Sequence, residues 1–172
     1  FIDDLLDSNI LNDAEKKRYS RMIRMSLVTG AVPKLGDWSG ENEKLLRFAH
    51  AELRDAFDYM KKHQRPESLR SFLEQSYVFF QSQHVDRMKE LDNPDYSNED
   101  IYLPIIIKSA SSRMIVRSVI DAAEDEGFDQ RMFCYGIYNQ LADDFADLHD
   151  DLRDGAVTPY TYYLTYSSQR PD

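Results

Sequence analysis

The sequence contains a single cysteine, Cys134, so an internal disulfide bond is excluded. Chains without disulfides are typical of a reducing compartment, and we expect a cytoplasmic location. Cys134 lies in the apolar run Met-Phe-Cys-Tyr, which predicts a packed and unreactive thiol. No stretch approaches the roughly 18 consecutive apolar residues that a membrane span requires.

Positive charge is also scarce, since 21 Lys and Arg residues stand against 31 Asp and Glu residues, a formal net charge of −10. Such an acidic chain argues against nucleic acid or an anionic membrane as a partner. An acidic enzyme that acts on an anionic substrate would need cations between the two. The 42% of hydrophobic residues is ordinary for a globular protein, and 172 residues predict one domain with a buried core.

Glycine and proline, six of each, fall mostly where helices would break, and hydrophobic residues recur at helical spacing. The sequence therefore predicts an all-α protein. Asp13 is expected to cap the second helix. Only residues 158–166 alternate in a strand-like way, and they are too few to make a sheet. The expected helices end first at Asp7 and then cover residues 13–29, 41–63, 66–93, 98–126 and 129–154.

Two segments carry the pattern Asp-Asp-x-x-Asp. They place Asp3, Asp4 and Asp7 near the start and Asp143, Asp144 and Asp147 near the end. Residues four apart share one face of a helix, so the carboxylates of each cluster would lie one above another and repel without a cation. Hard oxygen ligands of this kind suit Mg²⁺, which typically takes one or two carboxylates and completes its shell with water and phosphate oxygens.

The competing interpretation of each cluster is a solvated acidic face, because aspartate is abundant and a third copy of the pattern covers residues 150–154. Helical phase favours function for the later cluster. At about 100° per residue, Asp144 falls at the edge of an apolar stripe. A carboxylate that borders a buried face is costly unless a cation or ligand pairs with it. The expected stripe consists of Ile137, Leu141, Phe145, Leu148 and Leu152.

Two further features lie between the clusters. Gln83 and Asp86 are three residues apart, on one face of a helix rich in aromatic residues. Lys108 follows an isoleucine run and precedes three serines, where it could grip a phosphate oxygen. The alternative for Lys108 is a lysine whose stem is buried while its ammonium reaches solvent.

In this order, the segments resemble the class I isoprenoid synthase superfamily of polyprenyl diphosphate synthases and terpene synthases. The matching segments are DDLLD from Asp3, QHVD from Gln83, KSASS from Lys108 and YNQLADDFADLHDDLRDG from Tyr138. The resemblance covers nearly the whole chain, and the glutamine before the second DDxxD and the glycine after it are part of that family's pattern. It implies an antiparallel helical bundle around a central cavity, of which residues 1–172 would be the core without its first and last helices.

The resemblance also implies roles for individual residues. Asp3, Asp4 and Asp7 would bind Mg²⁺ from one wall, and Asp143, Asp144 and Asp147 from the other. Lys108 would contact the diphosphate, and Gln83, Asp86 and Gln140 would line the substrate cavity, where Phe79 and Tyr138 could stabilise a carbocation. The implied reaction is the metal-assisted ionisation of a prenyl diphosphate. Assembly into a homodimer is compatible with the resemblance.

One departure separates the subfamilies. Elongating synthases follow the first cluster with a paired-arginine loop that grips isopentenyl diphosphate, whereas Ser8 to Asp13 contain no arginine. This favours a terpene synthase, which cyclises or rearranges one prenyl diphosphate, over a prenyltransferase that condenses it with an acceptor. An interpretation from another class is a non-catalytic helical interaction subunit.

Overall fold

The computed structural model describes residues 2–7, 10–38, 40–120 and 125–167, and these contain eight helices and no strand. The prediction of an all-α protein is confirmed. The helices are α1 (Ile2–Asp7), α2 (Asp13–Thr29), α3 (Glu43–His63), α4 (Pro66–Asp86), α5 (Asn98–Val119), α6 (Phe128–Ala146), α7 (Leu148–Asp154) and α8 (Pro159–Tyr166).

The chain divides within α4 into two compact units, Phe1–Tyr77 and Val78–Asp172. The expectation of a single domain stays a prediction. Two helices end earlier than the sequence suggested: α4 ends at Asp86 rather than near residue 93, and α5 ends at Val119. The end of α4 matters for the site below, because the residues that follow it turn back towards the helix.

In the first unit, α2 begins at a reciprocal cap. Asn12 Oδ1 accepts a hydrogen bond from the Glu15 backbone N–H at 3.0 Å, and Glu15 Oε2 accepts one from the Asn12 N–H at 3.2 Å. The cap is therefore Asn12 and not Asp13, because the Asn12 backbone is extended while Asp13 is already helical. The helix ends at Gly30, whose φ of 66° belongs to the left-handed region that glycine adopts without strain.

The segment that follows α2 is held against that helix by Arg18. Its guanidinium donates hydrogen bonds to the carbonyl oxygens of Leu35 and Asp37 and stacks over Trp38, 4.4 Å from the ring centre. The core of the first unit is apolar. Its buried side chains include Leu11, Tyr19, Met22, Ile23, Trp38, Leu46, Ala49 and Phe57.

In the second unit, α5 and α6 pack as an antiparallel pair. Successive contacts run in opposite directions along the two helices: Ser109 with Gly136, Arg113 with Tyr135 and Arg117 with Asp129. The close approach is possible because Gly136 has no side chain. A Cβ at this position would lie 2.6 Å from the carbonyl oxygen of Ser109.

The expected helix over residues 129–154 is broken at Asp147, and the prediction of one continuous helix was wrong. The Asp147 backbone, with φ −90° and ψ 5°, closes α6 and opens α7. Its carbonyl accepts hydrogen bonds from both Asp150 N and Asp151 N at 2.9 Å. A straight helix would stack Asp143, Asp147 and Asp151 at four-residue intervals, where like charges are destabilising.

The strand-like stretch 158–166 is helical from Pro159 onwards, where it forms helix α8. Thr158 caps it through a reciprocal hydrogen-bond pair with Thr161, and Pro159 occupies the first turn, where its missing N–H is not needed. Tyr162 of α8 donates its hydroxyl to the Pro94 carbonyl at 2.7 Å. Tyr162 also packs with Ile101 at the start of α5, so α8 anchors both the segment between α4 and α5 and the beginning of α5.

Candidate functional site

The centre of the candidate site is Asp144, a carboxylate on α6 that is only 7% exposed. The side-chain amide of Gln140, one turn earlier on the same helix, donates a hydrogen bond to Asp144 Oδ1 at 2.7 Å. The other carboxylate oxygen, Oδ2, is buried and has no hydrogen-bond partner among the described residues. A buried acceptor without a partner is unfavourable, and in native proteins it often marks a place where an ion or ligand binds.

The packing of α5 against α6 explains why Asp144 is buried. Gly136, Gln140 and Asp144 are spaced by four residues and form one face of α6, and this face begins at the close contact with Ser109. The predicted apolar stripe holds only in part, since Ile137, Leu141 and Leu148 are half-buried whereas Phe145 is 63% exposed and Leu152 lies at the surface. Hydrophobicity alone placed the buried face too far round the helix, because the absence of a side chain at Gly136 decides which face can approach α5.

The surroundings of Asp144 contain charges of both signs. The pKa of Asp144 is raised from 3.8 to about 6, chiefly because the carboxylate is buried. The Gln140 hydrogen bond and the positive charge of Lys108 oppose this rise, and the negative charges of Asp151 and Asp86 add to it. Helices α4, α5, α6 and α7 of the second unit therefore each bring a charged or polar group to the same carboxylate.

Lys108 and Asp86 were both expected at the site, and both lie within electrostatic reach of Asp144. Lys108 is half-buried on α5. Asp86, the last residue of α4, forms an ion pair with Lys89, whose Nζ lies 3.1 Å from Asp86 Oδ1. Gln83 lies one turn before Asp86 on α4 and is half-buried. The sequence elements around Gln83, Lys108 and Gln140 thus belong to one unit. Gln140 contacts Asp144 directly, and the charges of Lys108 and Asp86 act on its carboxylate.

The acids at the junction of α6 and α7 form a second part of the site. Asp143 and Asp147 are exposed, and Asp151 is half-buried on α7. Burial raises the pKa of Asp151, and the charges of Asp147 and Asp143 add to this shift. These carboxylates are therefore close enough to repel one another even though the helix is broken at Asp147.

The described residues contain no group of three or more His, Cys, Asp or Glu side chains arranged to hold a metal ion. Mg²⁺ does not require such a group, because it is usually bound by one or two carboxylates together with waters and substrate phosphates. Asp144 fits that role, since its buried Oδ2 is an oxygen donor that lacks a partner. The described part of the chain therefore fits Mg²⁺ at one carboxylate and provides no complete set of ligands.

The structure leaves the first aspartate cluster untested and places Tyr138 and Cys134 at the surface. The side chains of Asp3 and Asp4 lie outside the described residues, and Asp7 is exposed at the end of α1 in the first unit. Tyr138 is 69% exposed and faces away from the buried side of α6. Cys134 is exposed as well, so the prediction of a packed thiol was wrong. The buried face of α6 contains Gly136 and Asp144, and Cys134 and Tyr138 lie on other faces of the helix.

Phe79 is half-buried on α4 and precedes Gln83 and Asp86 by four and seven residues, which places all three on one helix face. Sequence reasoning missed Lys89 and Gly136. Lys89 follows Asp86 by three residues, and this spacing could have suggested an ion pair. Nothing in the sequence alone indicated that Gly136 sets the buried face.

Among the described residues, no helix is both long enough and apolar enough to cross a membrane. No protein-family model, no curated protein and no solved structure matches this chain.

Proposed function

We propose that this chain is the catalytic part of a magnesium-dependent enzyme that ionises an allylic prenyl diphosphate and releases diphosphate. The product would arise by cyclisation or rearrangement, as in class I terpene synthases. One observation carries the proposal: a buried carboxylate, Asp144, keeps one oxygen without a partner among the described residues, while Lys108 lies within electrostatic reach. A structural acid in a packed helix pair would normally have both oxygens satisfied.

The chain's own residues would bind and orient the diphosphate end of the substrate. Gln140 fixes Asp144 through Oδ1 and leaves Oδ2 as the available donor. Lys108 supplies a positive charge, and a charge-assisted hydrogen bond to a phosphate oxygen is stronger than a neutral one. Together these groups offer a cation and a metal-ligating oxygen on adjacent helices.

Asp144, with Asp143 and Asp147 one turn or less away, would hold Mg²⁺. When bound, the metal supplies positive charge that stabilises the departing diphosphate. The raised pKa of Asp144, about 6, still leaves the carboxylate largely ionised at neutral pH. A nearby divalent cation favours the ionised form further. The unfavourable burial of this acid in the free protein would thus be relieved on binding.

The hydrocarbon part of the substrate would lie along the face of α4 that carries Phe79. This face leads from an aromatic ring at Phe79 through an amide at Gln83 to a carboxylate at Asp86. Its aromatic end suits the hydrocarbon of the ligand, and at the Asp86 end a cation would lie between the carboxylate and the diphosphate. An aromatic ring near the allylic carbons would stabilise positive charge through its π face. Tyr138, being exposed, is a weaker candidate for that role.

The test is an assay of diphosphate release from farnesyl and geranylgeranyl diphosphate, with and without Mg²⁺ and with and without isopentenyl diphosphate. We expect release that needs Mg²⁺ and no acceptor. Release only when isopentenyl diphosphate is present would replace cyclisation with condensation. A folded chain that releases nothing under any of these conditions would favour the non-catalytic interaction subunit.

Two variants connect the assay to the site. Asp144→Ala should lower turnover by about 10²–10³-fold, the usual effect of removing one preorganised electrostatic group. The matched control is Asp58→Ala, which removes an exposed carboxylate from α3 in the first unit. Equal activity of the two variants would contradict the assignment of Asp144. Asp4→Asn, assayed separately, tests the first aspartate cluster by itself.

A further inference from the structure

Lys89 is a lysine whose side chain is almost entirely buried, with 6% of its surface exposed. Lysine is rarely buried unless its ammonium is paired, because the charge loses its hydration. Its partner is Asp86, and Nζ of Lys89 lies 3.1 Å from Oδ1 of Asp86. The Asp86 side chain is 25% exposed. The pair therefore has a buried cation and a carboxylate that remains accessible.

The end of α4 determines this arrangement. Met88 N donates to the Val85 carbonyl and Lys89 N donates to the Asp86 carbonyl, both at 3.2 Å, so the chain turns back on the last turn of the helix. Lys89 thus follows directly on the carboxyl-terminal end of α4, where a positive charge is favourable.

A second acid, Asp100 at the start of α5, also feels the charge of Lys89, which contributes to its lowered pKa. Asp100 is already engaged, however, since its Oδ2 accepts hydrogen bonds from the backbone N–H of Ser97 at 2.9 Å and from the Ser97 hydroxyl at 2.7 Å. Asp86 is thus the acid with which Lys89 forms its ion pair. Asp86 is also one of the charges that act on Asp144.

We infer that Lys89 is a positioning residue for Asp86, holding one carboxylate oxygen so that the other is presented towards the Asp144 site. Lys89 does not touch the substrate in this account and acts through Asp86. The ammonium also offsets the charge of Asp86, which reduces its repulsion of Asp144. The inference rests on the proposed function, because the reaction at Asp144 provides its readout.

The test is a double-mutant cycle on magnesium-dependent diphosphate release with Lys89→Met, Asp86→Asn and the double variant. We expect Lys89→Met to lower kcat/KM by about 10–100-fold, the range typical when a group that orients a functional side chain is removed. In the Asp86→Asn background the same change should alter kcat/KM by less than about 2-fold, because sites that act as a unit are not additive. Lys62→Met, which alters an exposed lysine of α3, is the control and should behave as wild type.

The outcomes separate the two claims. Active wild-type protein with an unaffected Lys89→Met variant overturns the inference and leaves the proposed function standing. A wild-type chain that releases no diphosphate overturns both. If Lys89→Met does not fold by itself, the activity of Asp86→Asn is compared with that of the double variant. Equal activity there supports a role through Asp86, and a further loss in the double variant contradicts it.

Discussion

Gly136 controls how closely α6 approaches α5, and its replacement by alanine gives a quantitative test of the second unit. The added methyl carbon would lie 2.6 Å from the Ser109 carbonyl oxygen and 3.0 Å from Cγ of Arg113. The arginine side chain can move, but the carbonyl belongs to the backbone of a neighbouring helix. The helices must therefore separate to accommodate the methyl group.

Two opposing effects set the size of the change. Forcing an extra carbon into a packed contact typically costs about 1–3 kcal/mol. Alanine is favoured over glycine within a helix by about 1 kcal/mol, which offsets part of that cost. Because the closest contact is to backbone, the packing cost should lie at the upper end. We expect Gly136→Ala to lower the free energy of unfolding by about 1–2 kcal/mol.

Urea denaturation followed by far-ultraviolet circular dichroism measures this change. With a slope near 2 kcal/mol per molar urea, the midpoint should fall by roughly 0.5–1 M. Ala142→Gly, on the exposed side of α6, is the control and should lose about 1 kcal/mol through helix propensity alone. If Gly136→Ala is instead more stable than wild type, the gain in helix propensity exceeds the packing cost, and the close contact with α5 is refuted.

Three further outcomes follow from the second unit. Burial raises the pKa of Asp144 to about 6, so its protonated form favours folding and this contribution is lost as the pH rises from 3.8 to about 6. As the pH rises through that window, the free energy of unfolding of Asp144→Asn should therefore increase relative to that of wild type. Urea titrations in which the difference between the two proteins does not vary with pH would contradict this. Mg²⁺ with inorganic diphosphate should raise the melting temperature of wild type but not of Asp144→Asn in a thermal-shift assay, and equal shifts would contradict binding at this carboxylate. Tyr162→Phe removes the hydroxyl donated to the Pro94 carbonyl and should cost about 1 kcal/mol, which an unchanged denaturation midpoint would exclude.

The local elements were largely predictable because their signals are local. Ser97, with an acid three positions later, begins α5, and Gly30 caps the end of α2 in the left-handed region. At the start of α2 the predicted cap, Asp13, was one residue too late. The sequence was misleading at residues 158–166, where β-branched and aromatic residues suggested a strand. The Thr158 cap and Pro159 at the first turn outweigh those propensities.

The site was only partly predictable because burial is a property of packing. Helical phase placed Asp144 at the border of a buried face, and the structure buries it, but on a face defined by Gly136 and Gln140 rather than by hydrophobic residues. The return of the chain at Lys89 depends on where α4 ends, which the sequence placed too late. Contacts between elements decide both features, and periodicity along one element cannot reveal them.

The most direct test of the account is a single-turnover measurement of diphosphate release from farnesyl diphosphate, with enzyme in excess over substrate. Wild type and Asp144→Asn are compared with Mg²⁺ and with a chelator, after circular dichroism has established that both are helical. The account predicts rapid release by wild type only when Mg²⁺ is present, and release at the background rate by Asp144→Asn. Wild-type release no faster than that of the variant, with both chains folded, would contradict it.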